Sequence, residues 1–193
     1  MMAAAKVPRE LVDYLDTLVE ELGRVAPLEA VYLLGSAANG AYEPGRSDVD
    51  VVAVTRRSLT ENERRSLAAA AEAIPCPARK LELVVYPRGS DGWEINLNTG
   101  EHVSFDPTEE PAFWFVLDRA IAEQHAVPLL GPSWGEVFEP VAREDVLAAL
   151  DEARSFDAWD DPQGAELASA RARVWRETGR WVSKREAAEW VGR

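Results

Sequence analysis

Residues 31–54 read VYLLGSAANGAYEPGRSDVDVVAV, and this stretch decides the fold. It opens with four apolar residues, short enough for a buried strand, followed at once by Gly35 and Ser36. A glycine lets a phosphate approach the backbone, and a serine hydroxyl with nearby amides can donate to phosphate oxygens. Pro44 and Gly45 suit the two central positions of a type II turn. The chain is therefore predicted to turn there and return as a second strand.

The returning strand carries two carboxylates, Asp48 and Asp50. Side chains alternate along a strand, so both acids are predicted to share one face while Val49 and Val51 point the other way. Two neighbouring carboxylates repel each other, and a cation between them removes that cost. Oxygen ligands suit Mg²⁺, which commonly bridges protein carboxylates and nucleotide phosphates.

A third acid, Glu82, lies on another predicted strand, residues 80–86. Leu81, Leu83 and Val85 share one face of this strand and Glu82 lies on the other. If the two acidic strands are neighbours, Glu82 can face the same cleft as the two aspartates. An acid in that position could bind metal or take a proton from an attacking hydroxyl.

Composition narrows the classes of partner. The chain has 193 residues, 47% of them hydrophobic, and a formal net charge of −13. Such acidity disfavours nucleic acids and anionic membranes and attracts small cationic molecules. No apolar run approaches a membrane span, the first residues lack the apolar core of a secretory signal, and the single Cys76 excludes an internal disulfide. We expect a cytoplasmic protein that acts as a monomer.

The remaining pattern predicts an α/β part followed by helices. Thr60-Glu61-Asn62-Glu63 is a capping box that begins a helix. Residues 128–132, PLLGP, are predicted to be a linker. The boundary is placed near Pro107, which gives an α/β domain over residues 1–107 and a helical domain over 108–193. Apolar spacing predicts helices over residues 8–26, 60–74, 113–121, 143–156, 165–178 and 183–190.

The order of Gly-Ser, a turn, Asp-x-Asp and a later strand acid resembles the nucleotidyltransferase superfamily related to DNA polymerase beta. That resemblance implies an α/β (α+β) core with a mixed sheet. The second half resembles the aminoglycoside 3″/9-adenylyltransferases, which inactivate streptomycin and spectinomycin. The segments that carry this likeness are FWFVLDRAIAEQHAVPLLGP, VFEPVAREDVLAAL and ARVWRETGRWVSKREAAEW.

The resemblance assigns roles to individual positions. It implies that Asp48 and Asp50 hold Mg²⁺, with a second ion expected, and that Glu82 is the base that deprotonates the antibiotic hydroxyl. ATP is the implied co-substrate. The positions that match the family's nucleotide contacts are Gly35, Ser36, Ser47, Arg173 and Lys184.

The substrate-binding positions match the family less closely. Acids in the loop before the Arg173 helix grip the cationic antibiotic in the family, and here Asp157, Asp160 and Asp161 lie in that loop in a different register. Trp93 is a candidate wall of the substrate pocket, with core packing as the alternative. The resemblance also implies a helical domain shorter than the family's.

The expected function is therefore Mg²⁺-dependent transfer of AMP from ATP to a hydroxyl of a small cationic antibiotic such as streptomycin or spectinomycin. Two alternatives stay open at this point. One is a nucleotidyltransferase that modifies a protein, as in toxin–antitoxin pairs, or another metabolite. The other is a non-catalytic nucleotide-binding module, against which the intact Asp48, Asp50 and Glu82 speak.

Overall fold

A computed structural model describes residues 7–156 and 162–192 of the chain. Its centre is one mixed sheet of six strands in the order β5-β4-β3-β2-β1-β6. Strands β2 and β3 are parallel, and the other neighbouring pairs are antiparallel. The strands are β1 (Leu28–Leu33), β2 (Val49–Thr55), β3 (Leu81–Pro87), β4 (Ile95–Asn98), β5 (His102–Ser104) and β6 (Val127–Leu130).

Helices precede the first strand, separate several of the strands along the chain, and make up most of its second half. Within residues 7–156 and 162–192, none of them is long and apolar enough to span a bilayer. The helices are α1 (Val12–Val25), α2 (Gly35–Asn39), α3 (Glu61–Glu72), α4 (Ala112–His125), α5 (Trp134–Val137), α6 (Arg143–Arg154), α7 (Pro162–Thr178) and α8 (Lys184–Val191).

Local signals explain where several elements begin and turn. The predicted capping box is confirmed: the Thr60 hydroxyl accepts from the Glu63 amide at 3.3 Å, and the Glu63 carboxylate accepts from the Thr60 amide at 2.8 Å. The predicted type II turn also forms, since Gly45 has φ +73° and the Arg46 amide donates to the Glu43 carbonyl at 3.1 Å. Two further capping boxes, at Ser133 and Ser183, begin α5 and α8.

One face of the sheet packs against α1 and α3. It presents alternate residues of β2 and β3, so the acids between them lie on the opposite face. This core is continuous and fully buried at its centre, where its members include Leu15, Leu18, Leu22, Val31, Leu33, Leu67, Val49, Val51, Leu81 and Leu83.

Aromatic side chains cover part of the other face. The rings of Tyr32 and Trp134 meet edge-on at 5.0 Å, Trp134 stacks on Phe138 at 4.3 Å, and Phe138 meets Tyr86 at 5.5 Å. The Tyr32 hydroxyl donates to the Pro132 carbonyl at 3.0 Å. These contacts attach α5 to the sheet.

The predicted linker over residues 128–132 is wrong, because Val127–Leu130 forms the edge strand β6. It pairs with β1, where Tyr32 lies opposite Pro128 and Leu33 opposite Val127. Proline lacks a backbone donor, but an edge strand has an unpaired side that tolerates it. The sheet therefore has six strands, where the sequence predicted three; β4, β5 and β6 are the additional ones.

The chain divides into two compact units. The first comprises Met1–Glu110 and His125–Glu139, and the second comprises Pro111–Gln124 and Pro140–Arg193. The first contains the sheet, and the second has its own apolar core around Phe113, Leu150, Trp175 and Trp181. The predicted domain boundary near residue 107 stays a prediction. The compact unit that contains the sheet also includes His125–Glu139, which follow that boundary in sequence.

Candidate active site

Asp50 and Glu82 lie side by side on the two parallel strands. They are direct register partners between β2 and β3, so their side chains leave the same face of the sheet. Register partners on adjacent strands are about 5 Å apart at Cα. Both residues are partly exposed, and both are flanked by buried residues that point to the opposite face. The strands that carry Asp50 and Glu82 are therefore neighbours in the sheet, which was the condition for Glu82 to face the same cleft.

Gly35 opens the space that the Asp50 carboxylate fills. Gly35 follows β1 with φ +60°, and a Cβ built on it would lie 1.8 Å from Oδ2 of Asp50. The Leu34 amide donates to the Asp50 carbonyl at 2.8 Å, which holds the loop against β2. Both the backbone conformation and the close approach require glycine.

Asp48 lies just before β2 and is held by Arg79. The Nε and Nη2 atoms of Arg79 donate to the two carboxylate oxygens of Asp48 at 2.7 and 2.5 Å. The bonds and charge of Asp48 raise the pKa of Arg79 above its ordinary value, with a smaller contribution from Glu82. The aspartate side chain is 16% exposed and that of Arg79 is 58% exposed. Asp48 is thus a nearly buried carboxylate whose counter-charge faces solvent.

Glu82 is held by a second cation, Lys80. The Lys80 ammonium lies 2.9 Å from Oε1 of Glu82 and 2.6 Å from Oε2 of Glu101. Burial lowers the pKa of Lys80, but its bonds to Glu101 and Glu82 outweigh burial and raise that pKa above its ordinary value. The lysine is therefore charged at neutral pH.

The two predicted phosphate-contacting serines lie in the loops that flank these acids. Ser36 is the second residue of the short helix α2 and is partly exposed. The Ser47 hydroxyl accepts from the Glu43 amide at 3.0 Å and closes the turn before Asp48. It keeps its own proton to donate. Their roles toward a nucleotide stay predictions.

Asp48 and Asp50 stay the predicted metal ligands of the site. Among residues 7–156 and 162–192, no three His, Cys, Asp or Glu side chains are gathered so that they could hold a metal ion by themselves. Mg²⁺ is commonly bound by one or two carboxylates together with phosphate oxygens and water. Two aspartates at this position fit that donor set, with the nucleotide supplying the rest.

The structure describes only part of the predicted substrate site. The Trp93 side chain is 3% exposed, which favours the packing alternative over a pocket wall. Asp157, Asp160 and Asp161 lie outside the described residues. The sequence therefore leaves the antibiotic contacts as predictions.

Arg173 and Lys184, the remaining predicted nucleotide contacts, belong to the second unit. The Arg173 guanidinium lies 6.0 Å from the centre of the Trp190 ring, and Arg173 lines a cavity of about 480 Å³ with Trp114 and Trp181. Lys184 is the exposed first residue of α8. Their contacts with ATP stay predictions.

Sequence reasoning missed the cations of the site. Arg79 and Lys80 immediately precede β3, and Glu101 lies in the turn between β4 and β5. The alternation that placed Glu82 on the acidic face also places Lys80 there, two residues earlier. That signal was available, but cations next to a strand usually face solvent without a partner.

Comparison with known proteins decides the family. Residues 15–104 match the nucleotidyltransferase domain family. An aminoglycoside (3″)(9) adenylyltransferase of Klebsiella pneumoniae is 30% identical over an alignment of 217 positions, gaps included, that covers 97% of this chain and 79% of that protein. The chain belongs to the aminoglycoside (3″)(9) adenylyltransferase family. A second adenylyltransferase of that name, from Shigella flexneri, is 31% identical over an alignment of 194 positions that covers 85% of this chain and 71% of that protein.

The fold of this adenylyltransferase also has a solved counterpart. It superimposes with a TM-score of 0.72 on the spectinomycin adenyltransferase AAD(9) from Enterococcus faecialis, a crystal structure with ATP and spectinomycin. The match covers 94% of this chain and 81% of that one at 16% identity, so it supports the assignment of the fold. The predicted nucleotidyltransferase core with a mixed sheet and a helical C-terminal part is confirmed, and the chain is an adenylyltransferase enzyme.

Proposed function

We propose that this adenylyltransferase transfers AMP from Mg·ATP to a hydroxyl of an aminoglycoside or aminocyclitol antibiotic such as streptomycin or spectinomycin. The observation that carries the proposal is the pairing of Asp50 with Glu82 in register on two parallel strands. One acid is thereby available to bind a metal-bound nucleotide and the other to receive a proton on the same face of the sheet. The names of the relatives support the class of acceptor.

Glu82 acts as the general base in the proposed reaction. The hydroxyl oxygen of the acceptor attacks the α-phosphorus of ATP, the bond from that phosphorus to the β-phosphate bridging oxygen breaks, and pyrophosphate leaves. The hydroxyl proton passes to a carboxylate oxygen of Glu82. A general base of this kind is typically worth about 10²–10⁴-fold in rate. The 38% exposure of the Glu82 side chain leaves it accessible to an acceptor.

Asp48 and Asp50 are the proposed ligands of Mg²⁺. When bound, the ion supplies charge neutralisation to the triphosphate and the leaving pyrophosphate. Because Gly35 has no side chain, the Asp50 carboxylate can lie close to the backbone that follows β1. Ser36 is the next residue, and we propose that its hydroxyl contacts a phosphate of the nucleotide whose metal Asp50 binds. A second Mg²⁺ is part of the proposal, with its remaining ligands supplied by nucleotide and water.

Nucleotide contacts are proposed for Ser36, Ser47, Arg173 and Lys184. The serines offer hydroxyl donors, and the two cations offer charge to phosphate oxygens. In a chain of net charge −13, an anionic nucleotide is best accommodated with its metal and with such cations. The same acidity suits a small cationic acceptor and opposes binding of nucleic acid or an anionic membrane. The proposed acceptor contacts are Asp157, Asp160 and Asp161. Trp93 is the weaker proposal, because its side chain is buried. We also propose that the enzyme is monomeric and cytoplasmic.

The test is direct transfer of labelled AMP. The purified chain is incubated with ATP labelled in its adenine, Mg²⁺ and a panel that includes streptomycin and spectinomycin, and labelled drug and pyrophosphate are quantified. We expect one labelled drug per pyrophosphate released and loss of transfer when the metal is chelated. Label that appears in protein instead would support the protein-modifying alternative. ATP binding without any product would support the non-catalytic one.

Glu82→Gln tests the assignment of the base, and Glu29→Gln is its matched control. Glu29 also lies on the sheet and is also paired with a cation, Arg88, but it lies at the far end of β1 from the site. We expect Glu82→Gln to lower kcat by about 10²–10⁴-fold with Mg·ATP binding retained. Glu29→Gln should keep wild-type kcat. Equal rates for Glu82→Gln and Glu29→Gln would refute the assignment.

A further inference from the structure

Lys80 is a nearly buried cation that joins two carboxylates. Its side chain is only 11% exposed, whereas those of Glu82 and Glu101 are 38% and 55% exposed. Lysine side chains are seldom buried unless they are paired. One of the two partners of Lys80 is Glu82, the carboxylate proposed as the general base.

The backbone around Glu101 fixes the position of this lysine. The turn between β4 and β5 is attached to the start of β3, because the Thr99 amide donates to the Leu81 carbonyl at 3.0 Å and the Leu81 amide donates to Thr99 Oγ1 at 2.9 Å. The Glu101 amide donates to the Asn98 carbonyl at 3.0 Å. The carboxylate that anchors the lysine is thereby carried on a turn bonded to the same strand as Glu82.

We propose that Lys80 is a positioning residue that holds Glu82 in its reactive orientation, with Glu101 as the anchor of the ammonium group. The inference rests on the proposed role of Glu82 as the base. Lys80 contacts Oε1 of Glu82, so Oε2 is the oxygen that takes the substrate proton. Reacting groups must be held to within a fraction of an ångström, and a 1 Å misplacement can cost about 10²-fold in rate.

The role of Glu101 follows from the distances. A lysine paired with Glu82 alone would compensate the negative charge that a base needs. Here the shorter bond, 2.6 Å, goes to Glu101 and the longer one, 2.9 Å, to Glu82. The ammonium group is thereby shared between two carboxylates, with Glu101 as its closer partner and Glu82 as the partner that it orients. The Glu82 and Glu101 side chains are 38% and 55% exposed, so water can solvate both carboxylates when the lysine is replaced.

Lys80→Met is the central variant, measured for kcat and for the KM of ATP in the full chain. We expect kcat to fall by about 10²-fold with the KM of ATP within about twofold of wild type, because the lysine acts on the base and not on nucleotide binding. Glu101→Gln should lower kcat by about tenfold. The double variant should lose less than the product of the two single losses, because both act through one network.

Arg88→Met is the matched control, since Arg88 lies at the opposite end of β3 and pairs with Glu29. It should keep the wild-type kcat. Lys80→Arg, which retains the charge, should recover at least about tenfold of the kcat lost in Lys80→Met. A kcat of Lys80→Met within twofold of Arg88→Met, or no recovery in Lys80→Arg, would overturn the inference.

A parallel Glu82→Gln measurement separates this inference from the proposed function. If Glu82→Gln loses transfer and Lys80→Met does not, only the role of Lys80 is wrong. If the wild-type chain transfers no AMP, or Glu82→Gln keeps full activity, the proposed function fails and the inference fails with it. Circular dichroism and Mg·ATP binding by each variant show that the fold is retained.

Discussion

Replacing Gly35 with alanine tests whether the position of the Asp50 carboxylate sets activity. The new methyl group would lie 1.8 Å from Oδ2 and 2.6 Å from Cγ of Asp50. An ordinary contact begins at 3.4 Å, so the carboxylate must retreat by about 1.6 Å. Because Asp50 is the proposed metal ligand on β2, this retreat moves an oxygen that the nucleotide complex needs.

The size of the effect follows from two separate costs. Alanine in a left-handed conformation costs about 1–2 kcal/mol, and the clash adds about 1–3 kcal/mol of overpacking. The shift of the carboxylate exceeds the 1 Å that can cost about 10²-fold in rate. We therefore expect Gly35→Ala to lower the free energy of unfolding by about 2–5 kcal/mol and kcat/KM by at least about 10²-fold.

Gly40→Ala isolates the backbone cost from the clash. Gly40 has φ +80°, and a Cβ built there has nothing within 4 Å. It should therefore lose only about 1–2 kcal/mol of stability and keep activity within a few fold. Unfolding in urea gives the first quantity, and transfer of labelled AMP at equal folded concentration gives the second. Equal activities for Gly35→Ala and Gly40→Ala would refute the reasoning.

Three further predictions concern charge and caps. Arg79→Gln removes the cation that holds both oxygens of Asp48, so Mn²⁺ binding without nucleotide, measured by calorimetry, should tighten about fivefold, equivalent to ~1 kcal/mol for a partly exposed pair; weaker binding would contradict this. Burial, with a smaller effect of Glu136, raises the pKa of Tyr32 to about 12. The phenol of the unfolded chain ionises near pH 10, whereas Tyr32 in the folded protein stays protonated up to about pH 12. The contribution of Tyr32 to the free energy of unfolding is therefore complete below about pH 10 and is lost as pH rises through about 12. Tyr32→Phe should lose less stability over that window in denaturant titrations, and an unchanged profile would count against the burial argument. Thr60→Ala removes the cap of α3 and should cost about 1 kcal/mol in urea unfolding, whereas no change would show that the cap is dispensable.

Much of the fold could be predicted because its signals are local. Alternating apolar residues marked β2 and β3, and a capping box marked the start of α3. The edge strand β6 was missed because Pro128 and the following Gly-Pro are typical of a linker. Only the pairing with β1, a contact between residues about 100 apart in sequence, makes this segment a strand. Such distant pairing leaves no period in the local sequence.

The site was predictable to the level of its acids but not of its ion pairs. Asp50 and Glu82 could be placed on one face by alternation, and their adjacency was a condition that the parallel register of β2 and β3 now meets. The bonds of Arg79 and Lys80 depend on how strand ends align in space. A guanidinium or ammonium group on a flexible stem has no sequence pattern that names its partner.

The return of His125–Glu139 to the first unit means that the polypeptide passes between the two units three times. Neither half can then be produced as an uninterrupted fragment. A protein cut after Glu110 would lack β6 and leave one side of β1 with bare amides and carbonyls, which invites other chains to add a strand there. Attempts to divide the enzyme into separate parts should therefore use a circularly permuted or spliced gene, and simple truncations should aggregate.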